Sequence, residues 1–134
     1  MSPLSQISWI RKRIARLVQQ RQAAERVFLG RSELLKGTVI EVQRTCGKPG
    51  CKCAKGEKHT CCQLSASIEG RTRTRNVPRK NLAKVKDLTE NYRRFRQARA
   101  TWVRLNAQII DLINQLETAR TMEDFADELR RQKG

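Results

Sequence analysis

Apolar residues recur at spacings of three and four between Ser5 and Leu29, at Ile7, Ile10, Ile14, Leu17, Val18, Ala24 and Phe28. This period places them on one face of an amphipathic helix, with Arg11, Lys12, Arg13, Arg16 and Arg26 on the other. Gly30 is the expected stop, since glycine tolerates the left-handed conformation that ends many helices. A second helical pattern runs from about Arg79 to Leu116 with neither Gly nor Pro. Val85, Leu88, Tyr92, Phe95, Arg99, Trp102, Asn106, Ile109, Ile113 and Leu116 keep an unbroken 3-4 heptad register along it, the pattern of a coiled-coil seam. Arg99 and Asn106 occupy seam positions, as does Arg21 in the first helix. Polar side chains there fix register or oligomer state at a cost in stability. The two helices are expected to pack together or to dimerise. A short acidic amphipathic helix over Met122–Leu129 is expected to close the chain.

Between the helices the period changes to two. Gly37–Arg44 is β-branched and alternates Thr38, Ile40 and Val42 against Val39, Glu41 and Gln43, which reads as a strand. A second strand alternates Cys62, Leu64, Ala66 and Ile68 against Gln63, Ser65, Ser67 and Glu69. A third, Arg71–Val77, is closed by Pro78. A two-residue Glu69-Gly70 loop would pair Ile68 with Arg71 and Ala66 with Arg73, setting arginines on the apolar face. The preferred reading is a three-residue loop, Ile68-Glu69-Gly70, with glycine at its left-handed position. It places Arg71, Arg73 and Arg75 beside Ser67, Ser65 and Gln63, with their charges in water. The order α-β-β-β-α implies an α+β fold: a three-stranded antiparallel sheet with an inserted cysteine-rich knuckle, flanked by an N-terminal helix and a long, coiled-coil-like C-terminal helix. The segments are 1–36 (basic helix), 37–78 (knuckle and sheet), 79–118 (heptad helix) and 119–134 (acidic helix).

Charge narrows the class of partner. The 134 residues carry 29 Lys and Arg against 13 Asp and Glu, a net charge of +16. The first 110 residues hold about +18 of this and the remainder about −2. That excess is more than solubility requires and points to a polyanion. No apolar run approaches the roughly 20 residues that span a bilayer, so no membrane partner is expected.

The five cysteines fall between residues 46 and 62, in the pattern C-x4-C-x-C-x5-H-x-C-C. An odd number of cysteines without an export signal argues for reduced thiols in the cytoplasm. Zinc takes four Cys or His ligands in a tetrahedron, and Gly47, Pro49, Gly50 and Gly56 supply the bending such a site needs. Cys46, Cys51, Cys53 and His59 form the preferred ligand set, a closed structural zinc site, with Cys61 as the alternative to His59. Cys62 falls on the apolar face of its strand, where a small core residue belongs. Lys48, Lys52, Lys55 and Lys58 surround the thiolates, where they would lower the thiol pKa values and also face phosphate.

The run Cys46-Gly47-Lys48-Pro49-Gly50-Cys51-Lys52-Cys53-Ala54, with Gly56 and His59, is followed by Gly70, Thr72, Arg73 and Thr74, by Val77-Pro78, and by Glu90-Asn91-Tyr92-Arg93-Arg94-Phe95. Over about residues 37–100 it resembles an uncharacterised family of small prokaryotic proteins with a CGKPGC(R/K)CA signature, frequently encoded in mobile-element contexts. His59-Thr60-Cys61-Cys62-Gln63-Leu64 stands where that family has His-Gly-Pro followed by aromatics. The resemblance implies a mobile-element setting and no established activity.

Three basic elements are candidate contacts to nucleic acid: the arginine face of the first helix; Arg71, Arg73 and Arg75 with Arg79 and Lys80; and the Arg93, Arg94, Arg96, Arg99 cluster on the long helix. With six aromatics in the chain, phosphate-driven binding to DNA or structured RNA is favoured over base readout. The leading expectation is therefore a zinc-stabilised nucleic-acid-binding accessory protein, with a homodimer through the helices as its candidate assembly. The alternative is an adaptor that docks a larger nucleoprotein or enzyme through its heptad helices. One histidine, no paired carboxylates, no phosphate loop and no Cys-x-x-Cys argue against an enzyme or thiol-redox protein.

Overall fold

The computed structural model describes residues 2–44, 50, 56, 59–122 and 125–133. In chain order they form α1 (Pro3–Phe28), β1 (Thr38–Arg44), β2 (His59–Ile68), β3 (Arg71–Val77), a 3-10 turn (Arg79–Asn81), α2 (Leu82–Arg120) and α3 (Phe125–Lys133). This is the predicted α+β order, with an N-terminal helix, a three-stranded antiparallel sheet and a long C-terminal helix. Two compact units are present: a helical one, residues 1–29 with 97–134, and a sheet unit, residues 30–96.

In the helical unit, Ser2 caps α1 by accepting the Ser5 N–H on Oγ at 3.1 Å. Pro3 follows at the first turn, where its missing N–H costs nothing. The helix ends at Leu29 (φ −88°, ψ 1°), whose N–H reaches the Glu25 carbonyl at 2.8 Å. Gly30 has no positive φ, so the expected glycine stop is not the device used. Ile10 and Leu17 of α1 form a core with Leu105, Ile109 and Leu112 of α2, flanked by Ile14, Val18 and Leu116. Phe28 meets Trp102 edge-on at 6.4 Å, while Arg21 meets Asn106. Positions falling along α1 thus meet positions rising along α2, so the pair is antiparallel and closes within one chain.

The seam of α2 differs from the heptad reading. Trp102, Ile109 and Leu116 stay on it, but their neighbours are Ala98, Leu105 and Leu112 in place of Arg99, Asn106 and Ile113. Arg99 is exposed and Ile113 is 47% exposed. Burying each leucine is worth about 1.5–3 kcal/mol, whereas burying Arg99 would carry a desolvation penalty. The rotation exchanges a penalty for a gain, which leaves Asn106 half-buried at the margin of the stripe.

The sheet unit has the strand order β1-β2-β3, with both neighbouring pairs antiparallel. The β2–β3 register pairs Ile68 with Arg71, Ala66 with Arg73 and Leu64 with Arg75. The turn is therefore the two-residue Glu69-Gly70 loop, and the expected three-residue loop is not formed. Both turn residues have positive φ, 53° at Glu69 and 78° at Gly70, as the hairpin turn matching strand twist requires. The arginines share a face with Leu64, Ala66 and Ile68 without being buried, because every residue from Arg71 to Asn76 is exposed. β3 is an edge strand, so its guanidinium groups reach water from either face. The central strand also holds a buried amide: Gln63 is 5% exposed and donates from Nε2 to Asn76 Oδ1 at 3.2 Å.

Gly37 enters β1 at φ +143°, where a Cβ would lie 2.7 Å from Leu64 Cδ1 and 2.9 Å from the Ser65 carbonyl oxygen. Only glycine allows that approach. The segment before it is tied to α2 by the Leu35 N–H on the Leu88 carbonyl (3.1 Å) and by Asn91 Nδ2 on the Glu33 carbonyl (3.3 Å).

Candidate functional site

Strand alternation brings Arg71, Arg73 and Arg75 to one face of β3, each exposed. Arg79 and Lys80 follow in the 3-10 turn, also exposed. These five predicted contacts therefore lie on a continuous stretch of chain in the sheet unit.

On α2, Glu90 organises two further predicted contacts. Arg93 Nη2 donates to its carboxylate at 2.7 Å, and Arg94 Nε stands 3.6 Å away. The hydrogen bond from Arg93 lowers the Glu90 carboxyl pKa most; desolvation opposes it, and the nearby charges of Arg93 and Arg94 add to the lowering. The same pairing raises the pKa of Arg93. Both arginines remain about two-thirds exposed, so Glu90 orients them without withdrawing them from solvent.

Arg93 and Arg96 also line a cleft of about 840 Å³ within the sheet unit. One wall is the segment from Lys36 to Val39 with Ser65, Ala66 and Ser67; the other is α2, with Lys86, Asp87, Thr89, Glu90 and Tyr92. Positions 86, 89, 93 and 96 share a helix face by their spacing. Sequence reasoning did not single out Lys36, Lys86 or the hydroxyls of Thr38, Ser65 and Ser67. The helical spacing of Lys86 to Arg93 was a usable signal, but the opposite wall exists only once the strands are paired.

The preferred ligands Cys46, Cys51 and Cys53, with Lys48, Lys52, Lys55 and Lys58, lie outside the described residues. Gly50 (φ +81°) and Gly56 (φ +114°) are described, and both have the positive φ that glycine tolerates best. His59 is the first residue of β2 and pairs with Arg44, the last of β1. His59 and Cys61 share one face of β2, and Cys62 is on the opposite face. Both cysteines are partly buried, and both line a second cleft of about 400 Å³ with Glu41, Val77 and Arg79. Among the described residues no group of three or more His, Cys, Asp or Glu side chains is placed to hold a metal, and no helix is long and apolar enough to cross a membrane.

These features define a small α+β domain with a basic edge strand and a basic cleft beside a long helix. The chain belongs to the DUF6788 family, a domain of unknown function, which it matches over residues 8–87. The match takes in most of α1, the cysteine-rich segment and the whole sheet, and it ends within the first turns of α2. Neither the curated proteins nor the solved structures contain a match to the chain.

Proposed function

We propose that this chain is a zinc-stabilised, basic nucleic-acid-binding accessory protein of the cytoplasm that contacts mainly the phosphate backbone of DNA or structured RNA. The observation that carries the reading is the row Arg71, Arg73 and Arg75 on one face of an exposed edge strand, in a chain of net charge +16. Guanidinium groups are suited to bidentate phosphate contacts, and an edge strand can present them to a large ligand without steric screening. The CGKPGCKCA signature supports a role beside a mobile element.

The donor set fits zinc. His59 and Cys61 stand on one strand face, directly after a segment with three more cysteines and with positive φ at Gly50 and Gly56. Cys46, Cys51, Cys53 and His59, or Cys61 in place of His59, would hold the ion. When bound, zinc would act as a structural clasp closing the segment between β1 and β2.

Filter binding to DNA and RNA across a salt series tests the reading. Binding should weaken steeply with rising salt; no binding to either polymer at low salt would refute it. A second reading, an adaptor that docks a larger partner, is favoured by Ile110 and Ile113 on α2, 49% and 47% exposed. Co-purification of one defined protein that resists nuclease and is abolished by Ile110→Glu would favour it.

A further inference from the structure

We infer that the cleft between α2 and the β1–β2 edge receives an unpaired nucleotide of a polynucleotide strand, with Tyr92 as its stacking surface and Lys86, Arg93 and Arg96 as its phosphate partners. The inference rests on the nucleic-acid reading above and goes further, because it assigns a site for a base where that reading invoked phosphate alone.

The size is appropriate. Pockets for small organic ligands run to about 300–1,000 Å³, and this one is about 840 Å³. The chemistry of its walls is mixed in the way a nucleotide is mixed. Lys86, Arg93 and Arg96 suit phosphate oxygens, while Ser65 and Ser67 can donate to or accept from a base edge. Asp87 and Glu90 also line the cleft. Their charge disfavours a bare polyanion, but it suits a ligand that also carries amino-group donors. Glu90 holds Arg93 at 2.7 Å, so one phosphate partner is oriented in advance.

Tyr92 decides between strand and duplex. It is the chain's single tyrosine, it is partly buried, and it lines the cleft. Phe28 and Trp102 are engaged with each other in the helical unit. In a duplex each base is already stacked on its neighbours, so an aromatic platform gains only from unpaired bases.

The test uses fluorescence anisotropy of the full chain with labelled mixed-sequence oligonucleotides, single-stranded and duplex, as DNA and as RNA. Tyr92→Ala is expected to weaken single-strand binding on the order of tenfold while leaving duplex binding nearly unchanged, and Tyr92→Phe to retain both. Arg96→Gln, at an exposed position, is expected to weaken strand binding with the fold intact. Nitration of Tyr92 by tetranitromethane in the unsubstituted protein gives a readout independent of variant folding: the single strand should protect and the duplex should not. Equal losses on strand and duplex for Tyr92→Ala, or no protection by the strand, overturns the inference while leaving phosphate-driven binding intact. A free mononucleotide that competes as well as the strand at equal nucleotide concentration overturns the assignment to a polymer. Absence of binding to every oligonucleotide overturns the inference and the proposed function together.

Discussion

Arg21 of α1 donates from Nη1 to Asn106 Oδ1 of α2 at 2.9 Å, pinning the antiparallel helix pair at one axial position. The contact belongs to a polar chain. Trp102 Nε1 donates to Glu25 Oε1 at 2.9 Å, and Arg21 Nε lies 3.6 Å from the same oxygen, too far for a hydrogen bond. That Nε is buried with no hydrogen-bond partner and Glu25 lies on α1 itself, so Asn106 is the partner that this guanidinium reaches across the helix pair. Asn106→Leu should lower stability by about 1–3 kcal/mol, and the double variant Arg21→Leu/Asn106→Leu should recover most of the loss. Thermal unfolding of the four proteins as a double-mutant cycle measures the coupling.

Replacement of Arg71, Arg73 and Arg75 together by Gln should reduce the slope of log affinity against log salt by about three, roughly one for each lost phosphate contact. These residues are exposed, so the melting temperature should change little. An unaltered slope would remove β3 from the interface.

Glu90 provides a pH signature. Its carboxyl pKa is lowered from the usual 4.5, first by the hydrogen bond from Arg93. The stabilisation is therefore present above the ordinary value and is lost as pH falls through the depressed one. Wild type should melt slightly above Glu90→Gln at neutral pH, and the two should converge once the pH has fallen through the depressed carboxyl pKa.

Gly37→Ala should destabilise the sheet unit by about 1–3 kcal/mol. The added methyl meets Leu64 Cδ1 at 2.7 Å and the Ser65 carbonyl oxygen at 2.9 Å, at φ +143°. Leu64 can swing aside, but the backbone oxygen cannot. Gly37→Ala/Leu64→Ala should therefore fail to recover the loss in a chemical denaturation series.

Purified protein should carry one zinc per chain, and Cys51→Ser should release it and lower the melting temperature. A structural site contributes its binding free energy directly to folding. Metal analysis beside a melting curve checks both, and retained zinc with an unchanged curve would remove Cys51 from the ligand set.

The parts of this fold that were legible in the sequence are those fixed by local period. Alternation from Thr38 to Arg44 and from Arg71 to Val77 marked β1 and β3 directly, since each strand is bounded by Gly or Pro signals. The β2–β3 register was misread because Glu69, a residue with a Cβ, adopts a left-handed φ of 53° that sequence rules reserve for Gly, Asn and Asp. The misreading also assumed that a strand face shared with Leu64 must be dry, whereas an edge strand lets arginine keep its charge in water. In α2 the heptad reading found Ile109 and Leu116 but counted Asn106 into the seam and passed over Leu105 and Leu112, whose place depends on what α1 presents. Of the candidate site, the arginines of β3 and α2 were legible one by one, while Lys36 and Lys86 were not. The cleft wall made by Lys36, Ser65 and Ser67 was not, because it depends on how the strands pair.

The arginine row on β3 has a spacing as well as a charge. Alternate residues of a strand repeat every 6.6 Å or so, close to the length of one nucleotide along an extended backbone. A polynucleotide laid along the strand would meet one guanidinium per phosphate, and a shift by one nucleotide would restore the same set of contacts. Such a row would be commensurate with a polynucleotide: it would hold a strand while leaving neighbouring positions nearly equal in energy, so that sliding would need only the barrier between steps to be crossed.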